Sequence, residues 1–120
     1  MTKSEIAISK FIFSSALILL VLVSGAGCKK SKDEPKPGPN EVFMQNTAFN
    51  PSSITVALNT TITWTNKDGT AHTVTSNDGT SFSSGNIGNG GTFTHKFTAT
   101  GSFPYHCTIH SGMTGTVIVN

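Results

Sequence analysis

From Ile54 onward, hydrophobic residues recur at every second position, and that spacing constrains the fold more than any other feature of the chain. Ile54, Val56 and Leu58 alternate with Thr55 and Ala57, and Ile62 and Trp64 alternate with Thr61, Thr63 and Thr65. Phe93 alternates with Thr92 and Thr94, and is followed by Phe97 and then by Phe103 and Tyr105. Successive side chains of a strand point to opposite faces, so a period of two with threonine between marks strands that are half buried. Turn sequences fall between them: Asn66-Lys67-Asp68-Gly69, Asn77-Asp78-Gly79, Gly88-Asn89-Gly90-Gly91 and Thr100-Gly101. No stretch from Glu41 onward sustains helical spacing with caps. Several short strands at this spacing predict an all-β sandwich or barrel. Trp64, the one tryptophan, shares a strand face with Ile62 and is read as core. His95, in the polar stretch Thr94-His95-Lys96, is read as a surface histidine.

Chemistry is concentrated near the C-terminus, in Tyr105-His106-Cys107-Thr108-Ile109-His110-Ser111-Gly112-Met113. One short loop holds a thiol, an imidazole and a thioether at the spacing Cys-x2-His-x2-Met. With His72 from an upstream loop, these are the donors of a trigonal His2Cys copper site with a long, weak axial methionine. Thiolate and thioether suit Cu(I), and imidazole tolerates both oxidation states. Alternation along Phe103-Pro104-Tyr105-His106-Cys107 turns Cys107 inward with Phe103 and Tyr105, and turns His106 outward. That geometry argues against a Cys–His nucleophile pair at positions 106 and 107, and the sequence suggests no third orienting residue. Gly112 suits the tight reversal before the last strand, Thr116 to Val119. Zinc is the rival metal, since it accepts Cys and His, but methionine is a poor zinc ligand.

On these residues the chain resembles the cupredoxins, the small blue copper proteins of plastocyanin and amicyanin type, over roughly Glu41 to Asn120. The lead-in Phe49-Asn50-Pro51 and the run Ile62-Thr63-Trp64-Thr65-Asn66 carry the resemblance along with the ligand loop, whose short spacing is most similar to that of amicyanins. The resemblance implies a Greek-key β-sandwich and one type 1 copper held by His72, Cys107, His110 and Met113. It also implies that His110 is the ligand whose ring edge approaches solvent, in an apolar patch made by Ile109, Met113 and neighbouring loop residues such as Gly112. Two positions depart from the family pattern. Asn59 stands where a turn glycine is usual, a place asparagine tolerates because it visits positive φ. Thr73 follows the first histidine where several members have Asn. Asn66 and Thr73 are the candidates for backbone ties beside the ligands.

Residues 1–27 read as a signal peptide. Lys3 and Lys10 precede a mostly apolar run from Phe11 to Val23, and small residues lead on to Cys28. Thirteen residues are short for a transmembrane helix. A cysteine at this place resembles a bacterial lipoprotein processing site, with Cys28 acylated; ordinary secretion with Cys28 incidental is the alternative. Residues 28–40 are rich in Lys, Pro, Gly and acidic residues, and Lys29 to Asn40 hold no hydrophobe, which predicts a disordered tether. Lys32-Asp33-Glu34 resembles a sorting signal for the outer surface, although a solvated linker is the favoured reading. Residues 41–120 then form one small domain. With Cys28 lipidated, Cys107 has no intramolecular partner in an oxidising compartment, and a metal would occupy it. The formal charge of +2 arises in the leader and tether; from Glu41 on, two lysines stand against three acids, a net of −1. No basic patch invites nucleic acid.

The expectation is therefore a one-electron carrier and not an enzyme. It is monomeric, lipid-anchored in the periplasm or at the cell surface, and exchanges electrons with redox proteins. A copper-binding or copper-delivery module is the alternative. Multicopper oxidases and nitrite reductases need further domains and a second set of histidines, whereas here only His95 and His106 are spare. A route for electrons through Cys107 to outward-facing His106 is a weaker hypothesis.

Overall fold

Residues 33–120, which the computed structural model describes, form eight strands. They are β1 (Glu41–Met44), β2 (Phe49–Asn50), β3 (Ser53–Val56), β4 (Thr61–Asn66), β5 (Thr75–Ser76), β6 (Thr92–Lys96), β7 (Gly101–His106) and β8 (Thr114–Val119). One sheet runs β2-β1-β4-β6 and the other β3-β8-β7-β5. The chain crosses between the sheets at five of its seven connections, and the fold is the all-β Greek-key sandwich that the periodicity and the resemblance predict. The described residues include no helix. The signal segment, Cys28 and the first part of the tether lie outside the described residues. Backbone bonding reaches back a little before Glu41: Asn40 O accepts from Thr63 N–H (3.0 Å), and Gly38 O accepts from Glu41 N–H (3.2 Å).

The inward faces of both sheets meet around Trp64, which is fully buried. Its ring centroid lies 5.5 Å from that of Tyr105, 5.6 Å from Phe93 and 5.9 Å from Phe82. At such separations each aromatic pair adds roughly 0.5–1.5 kcal/mol beyond the area it buries. Ile62, Phe97, Val117 and Val119 complete the same layer. This packing fixes the end of β7, and with it the direction in which Cys107 points.

Two expectations need correction. Leu58 is 43% exposed, because β3 stops at Val56 and the chain turns through Asn59 at φ 72°. There Leu58 N–H donates to Asn120 O and Asn59 N–H to Phe97 O, so backbone bonding holds the turn without burying the leucine. His95 is half buried and not a surface residue. Positions 93, 95 and 97 share one face, and the His95 ring lies 5.0 Å from Phe82 and 4.7 Å from Phe97. Burial holds its pKa below the ordinary histidine value.

Strands β1, β2 and β5 were not legible as alternation. In β1, Val42, Phe43 and Met44 are all buried, and the ammonium of Lys67 sits 4.7 Å over the Phe43 ring on its outer face. β1 pairs in parallel with β4, and β3 in parallel with β8. The β7–β8 hairpin, in register from Gly101↔Val119 to His106↔Thr114, leaves residues 107–113 as its loop.

Candidate metal centre

Strand β7 delivers Cys107, 3% exposed, to the end of the sandwich. The loop after it is drawn tight by Cys107 N–H donating to Met113 O (3.0 Å) and Met113 N–H to His110 O (3.3 Å). Gly112 takes φ 86° to complete the reversal, a conformation open to glycine at no steric cost. These bonds turn His110 back over the thiol and bury Met113, which is also 3% exposed.

His72 comes from the long connection between β4 and β5. A two-bond bridge to Ile87 fixes its backbone, with His72 N–H donating to Ile87 O (3.1 Å) and Ile87 N–H to His72 O (2.8 Å). Its ring is fully buried, and Nε2 lies 2.8 Å from Asp68 Oδ2. Nδ1 therefore faces the other way, 3.2 Å from His110 Nδ1 and 3.9 Å from Cys107 Sγ, while His110 Nδ1 is 3.6 Å from Cys107 Sγ.

Those three distances define a triangle of donors aimed at a common centre. A point equidistant from them lies about 2.1 Å from each, within the range of a metal–imidazole bond. Three potential ligand atoms at these separations fit a metal ion. The donor chemistry then selects the metal, because the fourth buried group is a thioether and not the carboxylate, thiolate or third imidazole that would complete a zinc site. The predicted residues His72, Cys107, His110 and Met113 are positioned together as a type 1 copper site. Of the spare histidines, His106 points away, its Nδ1 2.6 Å from Asn77 Oδ1, and His95 lies in the aromatic layer.

The thiol is prepared for metal. Burial opposes its ionisation, but Thr73 N–H donates to Sγ (3.4 Å), and the His110 ring, Ile109 N–H and the His72 ring add to that stabilisation. The balance brings the Cys107 pKa down to about 6.

Thr73 also ties the two ligand loops together. Its hydroxyl oxygen accepts Thr108 N–H (2.8 Å) and lies 3.1 Å from Thr108 Oγ1. Threonine thus makes the link at the position where several resembling proteins carry Asn. Asn66, fully buried, braces the His72 loop by donating from Nδ2 to Thr70 O (2.9 Å) and Ile87 O (2.8 Å). Sequence reasoning missed Asp68. Four residues before His72, it read only as turn chemistry; the spacing to the histidine was the available signal.

One member of the set reaches solvent. His72, Cys107 and Met113 are buried, so Met113 packs into the core and is not part of the expected exposed patch, whereas His110 is half exposed beside Ile109, itself 45% exposed.

Residues 15–119 match the family described as the cupredoxin-like domain. Among solved structures, a purple cupredoxin from Nitrosopumilus maritimus is 26% identical, with a TM-score of 0.62, covering 67% of this chain and 98% of that one. A reduced amicyanin point mutant is 24% identical, with a TM-score of 0.63 and coverage of 67% and 80%. A copper-containing nitrite reductase from Thermus scotoductus is also similar, at 24% identity and TM-score 0.63, over 78% of this chain but 24% of the enzyme. No protein of curated function matches the chain in sequence.

Proposed function

The chain belongs to the cupredoxin-like family, and from that premise we propose that it is a type 1 copper electron carrier with His72, Cys107, His110 and Met113 as its ligands. The observation that carries this reading is the triangle of Cys107 Sγ and two Nδ1 atoms, with His72 and Cys107 buried and His110 half exposed. Copper, when bound there, supplies a one-electron couple. The chain supplies rigidity and access. The Thr73–Thr108 tie, the Ile87 bridge and the Cys107–Met113 bond hold the donors in place before any metal arrives. A site held this way changes little when its charge changes. The ring edge of His110, with Ile109, is the contact point for redox partners.

The burial of His72, Cys107 and Met113 speaks against the alternative of copper delivery, which needs an open site from which metal is passed on. An enzymatic role has less support, since the nitrite reductase likeness spans a quarter of that protein. The leader sequence and Cys28 support residues 1–27 as a signal peptide, 28–40 as a lipidated tether and 41–120 as the functional domain, anchored in the periplasm or at the cell surface.

The test is the visible spectrum during titration with Cu(II), beside a Cys107→Ser control. The expected result is an intense band saturating at one copper per chain and absent from the control. Weak absorption of equal strength in both proteins would refute the carrier reading.

A further inference from the structure

Asp68 occupies the side of the His72 ring opposite the donor triangle, with Oδ2 2.8 Å from Nε2. Two backbone N–H groups hold the carboxylate, and a third bond holds the Asp68 backbone. Asn46 N–H donates to Oδ1 (2.7 Å), Thr47 N–H donates to Oδ2 (2.9 Å), and Asp68 N–H donates to Asn66 Oδ1 (2.8 Å). Asn46 and Thr47 sit at φ 57° and 56°, so the β1–β2 turn takes up a left-handed backbone that aims two successive N–H groups at one side chain. The neighbouring cation, Lys67, places its ammonium over Phe43. A negative charge is thus fixed one imidazole away from the donor triangle.

We propose that Asp68 is a positioning residue for His72, which fixes the ring with its proton on Nε2 and its lone pair on Nδ1, and whose charge lowers the reduction potential of the centre. The proposal rests on the copper-carrier reading for the potential and stands apart from it for the ring. An ionised carboxylate can only accept, so Nε2 donates, and in the neutral ring that puts the lone pair on Nδ1, the atom that faces His110 Nδ1 and Cys107 Sγ. Partners of this kind orient metal-binding histidines and raise their basicity. A fixed negative charge nearby also favours the more positive oxidised ion over the reduced one.

The experiment uses the full chain in detergent and two variants, Asp68→Asn and Asp68→Ala. In the metal-free protein, long-range nitrogen–proton NMR reads the tautomer of His72. The wild type is expected to show the Nε2–H form alone, and Asp68→Ala a mixture of both forms. In the copper-loaded protein, Asp68→Asn keeps an acceptor but loses the charge. Its reduced-to-oxidised ratio at fixed poise is expected to rise about tenfold, a shift of 59 mV for one electron. A purely structural role for Asp68 in the 45–48 turn would lower the unfolding midpoint and leave both readouts unmoved. Wild-type tautomer in Asp68→Ala, or a ratio within twofold of wild type in Asp68→Asn, overturns the proposal. If no copper binds to any of the proteins, the carrier reading fails, and the His72 tautomer alone decides the role of Asp68.

Discussion

Gly115→Ala isolates the contact that ties the core to the metal loop. Gly115 lies in β8 opposite Tyr105 in β7, two residues before Cys107. Its φ lies outside the left-handed region, so the backbone accepts alanine and a stabilising contribution of about 0.4–1 kcal/mol from a less flexible unfolded chain is expected. Sterics oppose it. A Cβ there would lie 2.5 Å from Tyr105 Cζ, 2.6 Å from Oη and 3.0 Å from Cε1. Ordinary carbon contacts are about 3.5–4.0 Å, so the ring must retreat by about 1 Å. It has nowhere to go, being fully buried with its centroid 4.7 Å from Phe49 and 5.5 Å from Trp64. Overpacking costs about 1–3 kcal/mol, and a clash against a caged ring belongs at the upper end, which leaves a net loss of about 2 kcal/mol. Urea unfolding followed by Trp64 fluorescence measures it, with an unchanged slope confirming that stability alone has moved. The decisive arm is the Tyr105→Leu background, where the three clashing atoms are gone and Gly115→Ala is expected to be nearly neutral. Tyr105→Phe gives no such relief, because it keeps Cζ and Cε1. A loss below about 0.5 kcal/mol in the wild type, or an equal loss in the Tyr105→Leu background, would refute the reasoning.

Two further outcomes follow from the site. In the metal-free protein, absorbance near 240 nm should titrate with a midpoint near pH 6, whereas an ordinary thiol ionises at about 8.5. Because the folded pKa is depressed, Cys107 contributes its full stability above the ordinary thiol pKa and loses it as pH falls through about 6, so urea midpoints of the metal-free wild type should rise over that window and those of Cys107→Ser should not. Thr73→Val removes the hydroxyl that accepts Thr108 N–H, at a cost of about 1 kcal/mol in stability. Copper affinity should fall about 10-fold with it, read by competition with a chelator; unchanged affinity would show that the two ligand loops need no tie.

Much of this was local and therefore readable from the chain. Strand alternation is a property of neighbouring residues, so Ile62–Trp64 and Phe103–Tyr105 announced their buried faces, and the direction of Cys107 and His106 followed by parity. Donor types and the Cys-x2-His-x2-Met spacing are equally local, which is why the four site residues could be named before their distances were known. Asn59 announced its own positive φ. Elsewhere the pattern misled or was silent. β1 shows no alternation because Lys67 covers Phe43 from outside, and the parallel pairings of β1 with β4 and β3 with β8 join segments that carry no mark of each other. The supports of the site are the clearest case. The Thr73–Thr108 bond spans 35 residues of sequence, and the Asp68 carboxylate is aimed at His72 by N–H groups 21 and 22 residues before it. Composition and spacing determined which atoms could bind a metal. Only the tertiary structure decided which way those atoms face, because direction is set by hydrogen bonds that close between distant parts of the chain.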